Sequence, residues 1–266
     1  MTPTLALIRS LVTPDASFRR GELYHVPRSV ALSALLFLAV LAGTLSAAFH
    51  ANPTAQELQL RRELQRVERL MLNAPTEQRE IAMEQVRRQI TRGAGVIGVV
   101  QGALGAVVRW LILYFEIWLL VLLLVQFAGG EERPLGPRRH GRSKHLIVSV
   151  LAPLILAELV QALLLQSTSP AAYSSAPTYE EYLEAVRVTL SLPEAAGLSL
   201  AGLAPTLQFL SRQGSNPFVW WAGYVFVAGS TEVFRLSPRR SSVVAAVVLL
   251  LIALQHGALQ AVGNLF

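Results

Sequence analysis

Five stretches of the chain lose nearly all their polar residues. Residues 29–49 carry no charge, and 94–128 are apolar apart from Arg109, Glu116 and a few amides. Residues 146–165 keep only Glu158 and Gln161 as strongly polar members. Residues 217–234 open on Phe218, Trp220, Trp221 and Tyr224, and 243–264 hold Gln255, His256 and Gln260. Runs near 20 residues match the roughly 30 Å hydrocarbon core. Lipid offers no partner for backbone N–H and C=O groups, so each run reads as a helix. Pro27 and Pro217 sit at helix starts, and Pro153 falls inside the third run. The 28 residues ahead of the first run are too many for the basic lead-in of a cleaved leader. It therefore reads as a retained span.

Between the runs the period changes. In 55–92 the apolar positions Leu60, Leu64, Val67 and Met71 recur at helical spacing, Asn73-Ala74-Pro75 interrupts them, and Ile81, Val86 and Ile90 resume. This predicts a charged helical hairpin outside the membrane, each arm roughly 27 Å long. The run 94–128 would be a helix of roughly 52 Å, more than a bilayer needs. With the outer edge of the bilayer near Arg109, its first part, 94–108, is expected to project beyond the membrane. Residues 167–214 form a second extramembrane segment, with an acidic stretch (Glu180, Glu181, Glu184) and an apolar one (198–210) suited to the membrane surface. Residues 1–27 read as an amphipathic cytoplasmic segment. The expected fold is all-α: five transmembrane helices with an extramembrane helical hairpin.

Composition narrows the chemistry. Of 266 residues 53% are hydrophobic and 15% charged, against about 25% charged in soluble domains, which argues against a soluble enzyme. There is no cysteine, so disulfides, thiolate metal sites and cysteine nucleophiles are excluded. Asp15 is the sole aspartate, which removes two-aspartate intramembrane catalysis. With the N-terminus in the cytoplasm, 12 basic residues fall on that side and 10 outside, most of the latter interleaved with glutamates in 57–92. The short loops follow the positive-inside pattern. Five spans then leave the C-terminus extracytoplasmic.

Several of these blocks resemble bacterial Yip1-domain membrane proteins. Leu5, Ile8 and Leu11 before Pro14, with Phe18 after it, are similar to that family's amphipathic lead-in. So are the run from Gly129-Gly130 through Lys144 to Ala152-Pro153, and the block Ser215-Asn216-Pro217-Phe218-Val219-Trp220 with Arg239-Arg240 ahead of the last helix. The long charged hairpin departs from the pattern. The resemblance implies a five-helix domain over 28–266 in the bacterial inner membrane. It also implies a non-enzymatic role in organising the membrane or serving as a partner or scaffold subunit.

One motif is misleading. Gly93-Ala94-Gly95-Val96-Ile97-Gly98 spells G-x-G-x-x-G, yet the dinucleotide fingerprint needs a preceding strand, and a polar helix precedes it here. The glycines suit packing instead. Gly98, Gly102 and Gly105 share one helical face, allowing close backbone approach. Arg109 and Glu116 continue that stripe, so the face is expected to point into the bundle.

Ionisable groups inside a membrane are costly and merit a functional hypothesis. Counted from the cytoplasmic helix ends at 1.5 Å per residue, Glu116, Glu158 and His256 lie at one depth of roughly 20–22 Å, with Arg109 above them. Arg109, Glu116, Glu158, His256 and Gln260 form the candidate polar cluster. It reads as a structural hydrogen-bonded network, with a proton or ion relay, a polar substrate pocket and a two-Glu, one-His metal site as alternatives. A serine protease using Ser230 and His256 is disfavoured, since the two would lie more than about 10 Å apart in depth. No G-x-S-x-G, H-E-x-x-H or phosphate loop occurs. No catalytic residue, metal or cofactor is expected. The basic run Arg138, Arg139, Arg142 and Lys144 fits positive-inside topology or contact with anionic lipid. Trp220, Trp221 and Tyr224 fit an interfacial aromatic belt. The partners expected are membrane lipids and another membrane protein or a second copy of the chain, with no nucleic acid. The rival function is a small transporter or channel using the polar cluster.

Overall fold

A computed structural model describes residues 3–20, 26–72, 74–93, 96–130, 142–188, 190–198 and 205–265. Among these the chain is all-helical, with no strand. In order the helices are α1 (Pro3–Val12), α2 (Pro14–Arg20), α3 (Arg28–His50), α4 (Pro53–Leu70), α5 (Thr76–Gly93) and α6 (Val96–Phe127). Then follow α7 (Arg142–Gln166), α8 (Tyr179–Ala185), α9 (Leu192–Ala195), α10 (Pro205–Gly214), α11 (Pro217–Phe234) and α12 (Pro238–Leu265).

Three segments are long and apolar enough to cross a membrane: Arg28–His50, Gly98–Phe127 and Arg142–Gln166, each with a mean hydropathy of 2.2. The two further spans expected at 217–234 and 243–264 are helical but are not among these three. The 18 residues of α11 are diluted by Trp220, Trp221, Tyr224 and Glu232. The side chains of α12 beyond Ala253 lie outside the described residues. The segment 167–214 is more broken than its pattern suggests. It holds a 3-10 turn at Pro170–Ala172 and the short helices α8, α9 and α10, while 199–204 lie outside the described residues.

The chain divides into two compact units. The first comprises Met1–Leu38, Arg109–Glu158 and Thr189–Phe266. Its α11 and α12 pack against each other, joined by a turn in which Arg235 takes a left-handed conformation, φ 56°. The N-terminal segment lies along α11. Trp221 Nε1 donates to the Leu11 carbonyl at 2.8 Å, and the Tyr224 hydroxyl donates to Asp15 Oδ2 at 3.1 Å. Phe18 is buried against Gly229, where an added Cβ would come within 3.0 Å of the Phe18 ring. Within this unit α6 has two unlike faces. Trp110, Leu113, Tyr114, Ile117, Val121 and Val125 are buried, while Ile112, Phe115, Leu119 and Leu123 are exposed. An outward apolar stripe at helical spacing is the pattern of a helix facing lipid.

The second unit comprises Ala39–Val108 and Leu159–Val188. Here α4 and α5 form an antiparallel hairpin with its break at 71–75. The start of α4 is set by Asn52, whose side chain accepts from Ala55 N–H at 2.8 Å, and by Pro53 at the first helical position. Arg79 closes the turn between the arms by donating to the Ala74 carbonyl at 3.1 Å. Glu57–Arg61 and Glu84–Arg88 pair one turn apart along the arms, each contributing only a few tenths of a kcal/mol.

At the base of the hairpin Phe49, Ala55, Leu58, Leu165, Tyr173, Tyr182 and Val186 form a buried cluster. Phe49 meets Tyr173 edge-on, as Tyr173 meets Tyr182, while Tyr179 stacks on Tyr182. Asn52 Nδ2 donates to the Tyr182 hydroxyl at 3.0 Å. Burial raises the Tyr182 pKa above the ordinary tyrosine value, outweighing that hydrogen bond. The folded chain thus keeps this proton to higher pH than the unfolded chain does. The stability it contributes is complete below about pH 10 and is lost as pH rises through the raised value. Tyr182→Phe is expected to cost about 1 kcal/mol at neutral pH and to flatten the alkaline fall of the melting midpoint. Melting curves at several pH values above 9–10 (about the tyrosine range) check this, and equal slopes for both proteins would count against it.

Candidate functional site

Helices α6 and α7 each carry one strongly polar residue to the same place. Arg109 Nη2 donates to Glu158 Oε2 at 2.5 Å. The same oxygen accepts from Trp110 Nε1 at 3.0 Å. The Arg109 guanidinium carbon lies 5.6 Å from the Trp110 ring centroid, within cation–π range. Both side chains are partly exposed, 41% for Arg109 and 24% for Glu158. Arg109 Nε is buried without a hydrogen-bond partner among the described residues. The arrangement neutralises both charges in a charge-assisted bond and gives the carboxylate a second donor. It links two apolar helices, α6 and α7.

The depth count set Glu158 level with Glu116 and one to two turns below Arg109. Instead Glu158 meets Arg109, because α7 starts at Arg142 rather than at the apolar boundary near His145. Three extra residues raise Glu158 by about 4.5 Å, and the long Arg109 side chain covers the remaining offset. Glu116 is not drawn in: it lies on the exposed side of α6, beside Ile112 and Leu119. The side chains of His256 and Gln260 lie outside the described residues. Among the described residues no three His, Asp or Glu side chains group as metal ligands. Trp110 was missed by the polar pattern. An indole next to the sole arginine of an apolar run was the available signal.

The small-residue stripe also needs correcting. Gly102 does make a close approach: an added Cβ would lie 2.6 Å from Ala47 Cβ and 3.5 Å from the Gly43 carbonyl oxygen. Gly43 is its counterpart on α3, with an added Cβ 2.7 Å from Ala106 Cβ and 3.0 Å from the Gly102 carbonyl oxygen. The contact is thus Gly43–Ala47 against Gly102–Ala106, antiparallel, with the i, i+4 spacing of small residues on both helices. Gly105 has nothing within 4 Å, so it is not part of the seam. Gly98 is half-buried one turn earlier. Hence the face does not turn inward as a whole: its Gly102 part packs on α3, and its Glu116 part is exposed. Close packing at an i, i+4 pair favours Ala106 over Gly105, which points about 100° away from it.

Of the basic run, Arg138 and Arg139 lie outside the described residues. Arg142 opens α7, and the Lys144 ammonium lies 4.7 Å from the Trp118 ring centroid. Trp118 Nε1 donates to Ser143 Oγ at 3.3 Å. The neighbouring His145 is buried, with Nε2 2.9 Å from the Val26 carbonyl oxygen. A carbonyl can only accept, which places the proton on Nε2. Compared with known proteins, the chain matches no family model, no curated protein and no solved structure.

Proposed function

We propose that the chain is a non-catalytic integral membrane protein of five spans, N-terminus cytoplasmic, whose extramembrane hairpin engages a partner membrane protein. This is the role that the Yip1-domain resemblance implies. The observation that carries it is the α4–α5 hairpin. Its two 18-residue arms leave the apolar side chains Leu70 (75% exposed), Leu72 (65%) and Ile81 (53%) around the tip. Within the apolar runs, by contrast, Arg109 and Glu158 pair with each other. The rival reading as a transporter or channel draws on that same pair, since polar groups on apolar helices often mark a pathway.

The two readings separate by experiment. Replacing Leu70, Leu72 and Ile81 by serine touches no buried side chain and is expected to leave melting within about 0.5 kcal/mol of wild type. It should abolish recovery of a stoichiometric partner from native membranes. Glu158→Gln, which keeps an acceptor for Arg109 and Trp110, should leave that recovery intact. Solute or proton flux in liposomes that Glu158→Gln abolishes, with partner recovery indifferent to the hairpin, would establish the transporter instead.

A further inference from the structure

A cavity of about 220 Å³ lies where the first turns of α3 and α7 face the middle of α6. Its polar lining is Arg28, Ser29, Tyr114, Lys144 and His145. Two of these are permanent cations, and no carboxylate is among the residues that line the cavity. The remaining walls are apolar, formed by Ala31, Leu32 and Val148 with the aromatic ring of Phe115. Phe115 is itself 55% exposed and continues into the outward apolar stripe of Ile112 and Leu119.

We propose that this cavity binds the phosphate group of an anionic membrane lipid. Two cations beside the hydroxyls of Ser29 and Tyr114 are the recognition chemistry of a phosphate oxyanion. The starts of α3 and α7 add the positive ends of two helix dipoles. A volume of about 220 Å³ falls below the roughly 300–1,000 Å³ of pockets that enclose a drug-sized ligand. It suits a headgroup whose hydrophobic remainder lies elsewhere. The adjoining outward face of α6 supplies a surface on which acyl chains can lie. The cations sit in the first turns of helices apolar and long enough to cross a membrane, where headgroups meet the hydrocarbon. Trp118, under Lys144, is the aromatic type found at that level. The same oxyanion chemistry could be met by a free phosphate, and the test separates the two. The inference needs only that these helices lie in a membrane and is independent of the partner-subunit reading.

The test is native mass spectrometry of the full chain in phosphatidylcholine nanodiscs, titrated with phosphatidylglycerol and, separately, with inorganic phosphate. One phosphatidylglycerol per chain should be retained in preference to phosphatidylcholine. Arg28→Gln and Lys144→Gln should each weaken retention about fivefold. Lys144→Arg should restore it, and Arg88→Gln on α5 should leave it unchanged. Melting curves for each variant establish that the fold is intact. Displacement of the lipid by millimolar inorganic phosphate would reassign the cavity to a soluble phosphate. Equal retention by wild type and the Arg28→Gln/Lys144→Gln double variant, or equal loss in Arg88→Gln, would overturn the proposal.

Discussion

Glu158→Leu is expected to destabilise the protein by about 3 kcal/mol, the lower end of what breaking a buried ion pair costs. The substitution removes the acceptor of both Arg109 and Trp110. It leaves a guanidinium on an apolar helix with its Nε already unpartnered among the described residues. The partial exposure of Arg109 does not rescue it if the surrounding medium is hydrocarbon, which solvates no charge. Arg109→Leu should cost a similar amount, since among the described residues it leaves that carboxylate oxygen only the Trp110 N–H as donor. The double variant Arg109→Leu/Glu158→Leu is expected to recover most of the loss, because replacing both partners of a buried pair by apolar groups is often close to neutral. Glu158→Gln should cost about 1 kcal/mol, as it keeps a neutral acceptor in place. A double-mutant cycle of unfolding free energies in mixed micelles checks this. Additive single-variant losses, with no recovery in the double variant, would show that the pair contributes no coupling.

The second large effect concerns the α3–α6 seam. Gly43→Val and Gly102→Val are each expected to cost about 3 kcal/mol, at the upper end for overpacking. At both positions even the first added carbon falls closer than 3.0 Å to an alanine Cβ. Alanine has no flexible end to move aside, so the helices themselves must separate. Gly105→Ala, three residues along the same helix, should be neutral or stabilising by up to about 1 kcal/mol. It meets nothing within 4 Å and gains helix propensity. The contrast tests the seam, because all three substitutions alter a glycine in an apolar helix. Thermal unfolding should order them as stated. A Gly105→Ala loss equal to that of Gly102→Val would place the seam elsewhere. Gln166 at the end of α7 donates from Nε2 to the Leu45 carbonyl at 2.7 Å, tying α7 to α3 between Gly43 and Ala47.

Much of the helix pattern is legible in the order of residues. The apolar run 29–49 becomes α3 (Arg28–His50), 94–128 becomes α6 (Val96–Phe127), and 146–165 becomes the greater part of α7. Asn73-Ala74-Pro75 separates the hairpin arms as expected, since proline cannot continue a helix but can open one. These features depend on local chemistry: the 3.6-residue period, backbone self-satisfaction, and caps acting within a turn. The acidic and apolar stretches of 167–214 were harder. Short polar helices are held by tertiary contacts such as Glu194–Arg212 at 2.8 Å rather than by a period long enough to count.

The candidate site shows the opposite balance. Sequence alone singled out Arg109 and Glu158, because a charge in an apolar run is visible without any structure, and it singled out Gly102 for its small size. It also established the absence of cysteine chemistry and five apolar runs, of which three form helices long and apolar enough to cross a membrane. Which charge meets which was decided only in three dimensions. The start of α7 three residues before the apolar boundary brings Glu158 about 4.5 Å nearer the level of Arg109, and the long Arg109 side chain spans the rest. Likewise, the partner of Gly102 is Gly43, 59 residues earlier, and the choice of Ala106 over Gly105 rests on helix rotation. Sequence periodicity specifies what one helix presents along its length. The axial offset and rotation between helices come from interdigitating side chains distant in the chain, and those place the ion pair, the glycine seam and the basic cavity.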